Sequence, residues 1–320
     1  MLPNTDGVDT LFTVIKGTFG LDPDPSPAGE QLPLALVDEY YGEPGSSSVR
    51  IPSDISLTKP GTDVLLQGHA YAPAGRPATQ IDVSLSVGPL QKQVRVFGDR
   101  YWLSAAVGPS ISSPEPFEAM PLVWERAYGG IDTVGSEIQA ETRNPVGTGF
   151  RDPDGASELH GLKLPNLEDP LHPISSWKQR PPPACFAPVA AHWEPRRSYA
   201  GTYDDRYRQE RAPFLPSDFD RRFFQVAPPG LVADDYLQGG EPVQVSGATP
   251  SGVLRFRLPR VALEVSHSLG AGVEARPANL ETVLLKPDEG VLILVWRSAL
   301  ACDKKALQVR EIRVSRLQGT

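Results

Sequence analysis

IDVSLSVGPLQKQVRVFG, residues 81–98, decides the fold class of this chain. Apolar and polar residues alternate strictly from Ile81 to Val87, which is the period of a half-buried β-strand. Gly88-Pro89 then makes a turn, and residues 93–97 return as a second strand. The stretch therefore predicts an antiparallel hairpin with one face against a hydrophobic core.

Further strand patterns lie on both sides of this hairpin. They cover residues 11–21, 31–41, 63–71, 254–258, 282–285, 291–296 and 306–317. The chain also contains 34 prolines and 29 glycines, which favour short elements and ordered loops over long helices. We therefore expect a mainly β protein, with an antiparallel β-sandwich or barrel-like body, long irregular loops and a few short helices.

Three regions follow from the distribution of these patterns. Residues 1–110 are expected to form an N-terminal antiparallel β-module, and residues 111–240 a loop-rich central segment with short helices. Residues 241–320 are expected to form C-terminal β-hairpins that pack with the N-terminal module as one body. Because residues 137–185 have almost no periodicity, and long loops are often functional, a binding surface is predicted within residues 137–211.

Composition limits the possible roles. A net charge of −8 argues against nucleic acid or an anionic membrane as the main partner. The longest strongly apolar run, residues 291–296, is too short to span a bilayer, and the first residues do not resemble a signal peptide. Cys185 and Cys302 are far apart and fit two inert thiols in a reducing compartment. We expect a cytoplasmic protein without membrane insertion.

The most unusual stretch is SYAGTYDDRYRQERAPFLPSDFDRRFFQVAPP, residues 198–229, which contains seven aromatic residues among many charges. Thr202 and Asp205 predict a capping box at the start of a first helix, and Pro213 ends it. Ser217 in turn predicts the start of a second helix over residues 218–224. Helices this short are unstable alone, so their aromatic residues are expected to dock on a larger body.

Spacing within the first helix predicts its side-chain contacts. Tyr203 and Tyr207 are four residues apart and share a face, while Asp204 with Arg208, and Arg206 with Glu210, are expected to form ion pairs. These aromatic and charged residues, with their neighbours, are the predicted partner-binding site. Its members are Trp193, Tyr199, Tyr203, Asp204, Tyr207, Arg208 and Phe214.

A search for catalytic patterns leaves one alternative. The five histidines have no metal-ligand spacing, and a GxSxG elbow, a P-loop and a complete dinucleotide fingerprint are all absent from the sequence. Neither a metal, a cofactor nor an enzymatic activity is therefore predicted. Asp218 and Asp220 could form the carboxylate pair of a glycoside hydrolase, or a carbohydrate site with Trp193, Tyr199 and Tyr203, although capping a helix explains Asp220 more simply.

Several phrases taken together identify a family resemblance. They are GHAYAP (68–73), VFGDRYW (96–102), PFEAMPLVWERAYGG (116–130), NPVGTGF (144–150), LPNLEDP (164–170), HWEPR (192–196) and GTYDDRYRQERAPFLPSDFDRRFFQVAPP (201–229). With them the chain resembles the bacterial domain-of-unknown-function family DUF2169 over nearly its whole length. Tyr207 stands where the family pattern has tryptophan, and Gly239-Gly240-Glu241 stands where it has Gly-Asp-Glu.

The resemblance implies a role rather than a chemistry. The family is encoded in type VI secretion clusters near VgrG spike and PAAR tip proteins. The resemblance implies an adaptor or chaperone that binds a toxin effector and helps to load it onto the VgrG/PAAR spike. It implies no catalytic residues.

Overall fold

The structure is a computed structural model that describes residues 2–104, 108–133, 138–152, 159–269, 272–302 and 308–317. Strands dominate it. In chain order they are β1 Leu2–Pro3, β2 Asp9–Gly20, β3 Glu39–Tyr40, β4 Val49–Ile51, β5 Asp63–Leu66, β6 His69–Tyr71, β7 Gln80–Val87, β8 Leu90–Phe97, β9 Trp102–Leu103, β10 Ser110–Ile111, β11 Ala119–Pro121, β12 Tyr128–Gly129, β13 Ile131–Asp132, β14 Gln139–Ala140, β15 Thr148–Gly149, β16 Leu167–Glu168, β17 Pro242–Ser246, β18 Val253–Arg257, β19 Leu263–Leu269, β20 Gly272–Lys286, β21 Val291–Ala301 and β22 Val309–Arg316.

Helical structure is limited to short pieces in the described residues. The α-helix α1 spans Asp205–Glu210. Single 3₁₀ turns cover Pro73–Gly75, Trp124–Arg126, Arg196–Tyr199, Arg221–Phe224 and Pro287–Glu289. Of the helices in these ranges, none is both long enough and apolar enough to cross a membrane.

The predicted hairpin is confirmed and lies in a five-stranded sheet of order β16-β8-β7-β17-β18. β7 and β8 pair antiparallel and are joined by residues 88 and 89. Ile81, Val83, Leu85 and Val87 are all buried, as the alternation predicts. The returning strand begins at Leu90 rather than at residue 93, because the turn needs only two residues.

The larger sheet has seven strands in the order β1-β2-β21-β20-β19-β22, with β5 parallel on β20. β20 and β21 form a second hairpin, one of the C-terminal hairpins predicted for residues 241–320, and Gly290 closes its turn in the left-handed region at φ 66°. β2 lies between the edge strand β1 and β21, so a strand from the start of the chain is paired on both sides in a sheet built mostly from its end. β17 from the C-terminal region also pairs with β7 in the smaller sheet.

Both larger sheets contribute to one hydrophobic core. Val83 and Val94 from the smaller sheet belong to the same buried cluster as Leu65, Val283 and Leu294 from the larger one. Each sheet ends in edge strands and does not close on itself in the described residues. The body is therefore mainly β and sandwich-like, which is the first of the two predicted forms.

Two strand predictions are wrong in detail. Residues 31–41 were expected to be one strand, but only Glu39–Tyr40 is one. The Gln31 side chain instead accepts a hydrogen bond from the Thr18 backbone N–H at 2.8 Å and donates to the Thr18 carbonyl at 3.0 Å. The segment around Gln31 is therefore a loop that is attached to β2 through this side chain. Residues 63–71 form two strands, β5 and β6, because Gly68 turns the backbone at φ 151°.

The central segment contributes to the core as well as to the surface. Residues 184–190 include Cys185 and Phe186, both fully buried. Trp124 donates its indole N–H to the Pro188 carbonyl at 2.8 Å. A run without periodicity is therefore partly core, because a chain buried on all sides shows no alternation.

Other predictions concern the last strand and the thiols. Residues 306 and 307 of the predicted final strand lie outside the described residues, and β22 covers its residues Val309–Arg316. Cys185 and Cys302, expected to be two inert thiols, are both buried free cysteines. Burial raises the pKa of the Cys185 thiol to about 12, so it stays protonated and unreactive at neutral pH.

Candidate functional site

The aromatic stretch forms a lobe of residues 196–224 on the surface of the sandwich. At its start, Arg196 is buried and donates from Nε to the Phe223 carbonyl at 2.9 Å and from Nη1 to the Val189 carbonyl at 2.6 Å. Burial lowers the pKa of Arg196 from its usual value. Just after the lobe, the Val226 N–H donates to the Asp63 carboxylate at 2.8 Å. We call residues 196–224 the aromatic lobe.

Helix α1 begins at a different cap from the one predicted. Asp204, not Thr202, accepts the hydrogen bond from the Tyr207 N–H, at 2.8 Å. Thr202 instead donates its hydroxyl and its N–H to the Asp218 carboxylate, at 2.8 and 3.0 Å. Gly201 permits this contact, because its φ is +78° and a Cβ there would lie 2.9 Å from Asp218 Oδ1.

The change of cap also changes one of the two predicted ion pairs. Arg206 pairs with Glu210 at 2.9 Å, as predicted. Arg208 pairs with Asp205 at 2.8 Å, because the carboxylate of its predicted partner, Asp204, caps the helix. Both pairs are exposed and therefore contribute little to stability.

The predicted contact between Tyr203 and Tyr207 is present and forms an aromatic face, although Tyr203 precedes the cap Asp204 and so lies outside α1. The rings of Tyr203 and Tyr207 meet edge to face with centroids 4.8 Å apart. The Tyr207 hydroxyl donates to the Phe214 carbonyl at 3.0 Å. Tyr203 is 50% exposed and Phe214 is 38% exposed, so the face is open to solvent.

Arg211 connects this face to the N-terminal residues of the chain. Its guanidinium donates to the Thr5 carbonyl and to the Leu215 carbonyl, both at 2.8 Å. Phe214 lies against Gly7, where a Cβ would approach its ring to 3.2 Å. The aromatic face is therefore supported by the β-body, as the short helix requires.

The second predicted helix is shorter than expected. It is the 3₁₀ turn Arg221–Phe224, and its cap is Asp220, which accepts from the Arg222 N–H at 2.9 Å. Ser217 does not cap it, because the turn starts only after Asp220. Behind the turn, the rings of Phe219, Phe223 and Phe224 pack with centroids 5.4 to 5.6 Å apart.

A cleft of about 530 Å³ opens beside α1. Its lining is polar and consists of Thr202, Asp204, Arg206, Tyr207, Glu210, Arg211, Pro216, Ser217 and Asp218. Hydrogen bonds from Thr202 hold the pKa of Asp218 below its usual value. The Arg222 side chain does the same to the pKa of Asp220.

The direction of these two pKa shifts can be compared with what a carboxylate pair needs for glycoside hydrolysis. A glycoside hydrolase needs one carboxyl group with a raised pKa to donate a proton. Both carboxyl groups here stay ionised at neutral pH, and both already accept hydrogen bonds within the lobe. Asp218 thus holds the segment at Thr202 against the rest of the lobe, and Asp220 caps the 3₁₀ turn.

The structure brings together six of the seven predicted partner-binding residues. The six that lie in the lobe are Tyr199, Tyr203, Asp204, Tyr207, Arg208 and Phe214. The guanidinium carbon of Arg222 lies 4.4 Å from the centre of the Tyr199 ring. Trp193 lies beneath the lobe and is fully buried, with its ring edge to face with Trp124 at 6.0 Å. Trp193 thus supports the site from the core.

The sequence did not assign a role in the site to the arginines that fix the lobe, Arg196, Arg211 and Arg222. Each of these arginines lies within three residues of an aromatic residue in a proline-rich segment, but exposed arginines often have the same surroundings in sequence. The predicted binding segment 137–211 is only partly surface, since residues 184–190 belong to the core. Residues 137 and 153–158 of that segment lie outside the described residues.

Among the described residues, no group of three or more His, Cys, Asp or Glu side chains is placed to hold a metal ion. The fold and the lobe thus define a mainly β protein with an open surface of aromatic residues and ion pairs.

The chain belongs to the bacterial family DUF2169, described as an uncharacterized protein conserved in bacteria, whose model matches residues 6–297. The match includes the whole aromatic lobe. No curated protein and no solved structure matches the chain.

Proposed function

We propose that this protein is a type VI secretion accessory protein, an adaptor or chaperone that binds a toxin effector and helps to load it onto the VgrG/PAAR spike. The secretion role comes from the family resemblance. The binding role is supported by the aromatic lobe. On this proposal the protein acts in the cytoplasm, by binding rather than by catalysis.

The observation that carries the binding role is the half-exposed aromatic face of the lobe. Tyr203 and Phe214 remain open although a 320-residue chain can bury most of its large side chains. Aromatic residues with little rotamer freedom supply most of the energy at protein interfaces. The adjoining Arg206–Glu210 and Arg208–Asp205 pairs supply a polar rim.

The lobe is also preorganised for binding. Arg196 and Arg211 connect it to the rest of the protein through the Val189 and Thr5 carbonyls, so a partner need not order it first. Preorganisation reduces the entropy lost on association. We therefore expect effector binding to need an intact lobe rather than a folding transition in it.

The test is recovery of partners from the native host with the tagged protein and a Tyr203→Arg variant. Tyr41→Arg is the matched control, because Tyr41 is 48% exposed and lies outside the lobe. We expect the wild type and the control to recover a toxin-like protein with VgrG or PAAR components. The Tyr203→Arg variant should recover about tenfold less, as for an interface hot spot.

Equal recovery by both variants would remove the lobe from the interface. If neither the wild type nor the control retains a partner, the accessory role is contradicted. The lobe should then be screened against glycans, since specific binding there would support a carbohydrate-binding protein instead.

A further inference from the structure

A second surface lies on the outer face of the smaller sheet, and none of its lining residues belongs to the aromatic lobe. Two adjoining cavities of about 510 and 540 Å³ share Asp24, Pro25 and Arg257 in their linings. They form one groove between the outer face of β17–β18 and the proline-rich loop of residues 23–27. We call it the arginine groove.

Four arginines line this groove, in a chain whose net charge is −8. They are Arg255, Arg257, Arg260 and Arg316. Within the described residues, none of the four forms an ion pair with a carboxylate. By contrast, Arg276 and Arg313, also exposed, are paired with Glu274 and Glu311.

Neutral acceptors orient three of these guanidinium groups. Arg255 donates to the Gln244 side chain at 2.9 Å, and Arg257 donates to the Gly240 carbonyl at 2.7 Å. Arg316 donates to the Arg260 carbonyl at 3.1 Å. Each guanidinium has five N–H donors, so most of them are left free for a planar anion such as a carboxylate.

The spacing of two of the arginines indicates how the carboxylates of a ligand would have to be arranged. Arg255 and Arg257 are exposed, and the intervening Phe256 is buried, so the two arginines lie on one face of β18. Alternate side chains of a strand are about 6.5 to 7 Å apart. An extended peptide with acidic residues at every second position repeats the same spacing.

The rest of the lining favours a peptide over a nucleic acid. Pro23, Pro25 and Val261 give the groove apolar walls that suit the intervening side chains of a peptide. Single-stranded nucleic acid is usually bound by basic grooves with exposed aromatic rings for stacking. The aromatic residues of this lining, Phe19 and Phe256, are buried at 7% and 6% exposure.

We infer that the arginine groove binds an extended acidic segment of a partner protein, with carboxylates at alternate positions. Arg255 and Arg257 receive two successive carboxylates, and Arg260 and Arg316 receive the next ones along the groove. The identity of that partner as an effector or spike protein rests on the proposed function, whereas the groove's preference for acidic peptides does not.

The experiment is fluorescence anisotropy with a labelled peptide of alternating Val and Glu, about eight residues long to match the strand spacing. The same composition with the glutamates in one block is the comparison peptide. The test variant is Arg255→Gln with Arg257→Gln. Its matched control is Arg276→Gln with Arg313→Gln, which removes the same charge from paired arginines on another sheet.

We expect the affinities of the wild type and the control for the alternating peptide to agree within about twofold. The affinity of the test variant should be about tenfold lower, because charge-assisted hydrogen bonds to arginines without a carboxylate partner are stronger than the exposed ion pairs that the control removes. The block peptide should bind several-fold more weakly than the alternating one. Arg255→Lys with Arg257→Lys should lose part of the affinity, because lysine lacks the planar fork.

Unchanged affinity in the test variant, no binding of the alternating peptide, or equal binding of the two peptides would overturn the inference. Tighter binding of a single-stranded oligonucleotide of equal charge would also overturn it. Peptide binding together with a failed partner recovery from the host would reject the secretion role and leave the groove intact. Partner recovery without peptide binding would reject the groove alone.

Discussion

At the residue scale, Arg297 and Glu281 form an ion pair inside the larger sheet. Arg297 Nε lies 2.6 Å from Glu281 Oε2, and the two side chains are 2% and 1% exposed. The other Glu281 oxygen accepts from the Lys59 N–H at 2.9 Å, and Arg297 also donates to the Ser56 carbonyl at 2.8 Å. Burial raises the pKa of Glu281 although Arg297 and Lys59 lie close to it.

We expect Arg297→Leu to lower the free energy of unfolding by about 3 to 5 kcal/mol, because it leaves a buried carboxylate without its partner. Replacing Glu281 with Leu as well should recover most of that loss. Urea unfolding followed by tryptophan fluorescence measures both. A cost below about 1 kcal/mol for Arg297→Leu, the size expected of an exposed pair such as Arg313–Glu311, would contradict the role of this pair.

A shift of register in the β20–β21 pairing explains why the buried Arg297–Glu281 pair cannot be predicted from the sequence pattern. The pairing of β20 with β21 shifts between Leu280 and Thr282, so Glu281 is an extra residue in its strand. Such a bulge re-aims a side chain, here towards the interior. Alternation along 279–286 alone does not place a glutamate in the core.

At the element scale, helix α1 depends on its cap and its docking. Its six residues are too few for a stable isolated helix. The Asp204 carboxylate satisfies the Tyr207 N–H, and the Tyr207 hydroxyl reaches the Phe214 carbonyl. Residues that hold α1 therefore control the aromatic face that the proposed function uses.

We predict that Asp204→Ala lowers the local stability of α1 by about 1 kcal/mol, which is typical for loss of a capping side chain. Hydrogen exchange at the amides of residues 207–210 should become faster. Asp205→Asn is the control, because it removes a carboxylate of the same helix and leaves the cap intact. Equal exchange rates in wild type and Asp204→Ala would show that docking alone maintains the helix.

At the scale of the whole molecule, strands from the two ends of the chain share their sheets. β2 pairs with β21, β5 with β20, and β7 with β17. Residues from all of these strands meet in one buried cluster. Neither end of the chain can complete its sheets without the other.

We therefore predict that a fragment of residues 1–110 does not fold on its own. Thermal unfolding followed by circular dichroism should show a cooperative transition for the full chain and a gradual change for the fragment. A chain ending at residue 302, which lacks the edge strand β22 but keeps both hairpins, should retain a cooperative transition. A sharp transition in the 1–110 fragment would mean that the N-terminal strands form a domain by themselves.

Local sequence patterns were enough to predict the fold class and the β7–β8 and β20–β21 hairpins, because these features depend on the period of two residues within each strand. The Tyr203–Tyr207 contact was also predicted, but Tyr203 lies outside α1, so a helical period of 3.6 residues does not account for it. Long-range contacts decided the pairing of β2 with β21, the burial of Trp193 and of residues 184–190, and the choice of Asp204 over Thr202 as the cap. Each of these depends on a contact between residues distant in the sequence or on competition for a hydrogen bond. The arginine groove is of the same kind, because its arginines come from β18, from β22 and from the loop after β18, and only folding places them together.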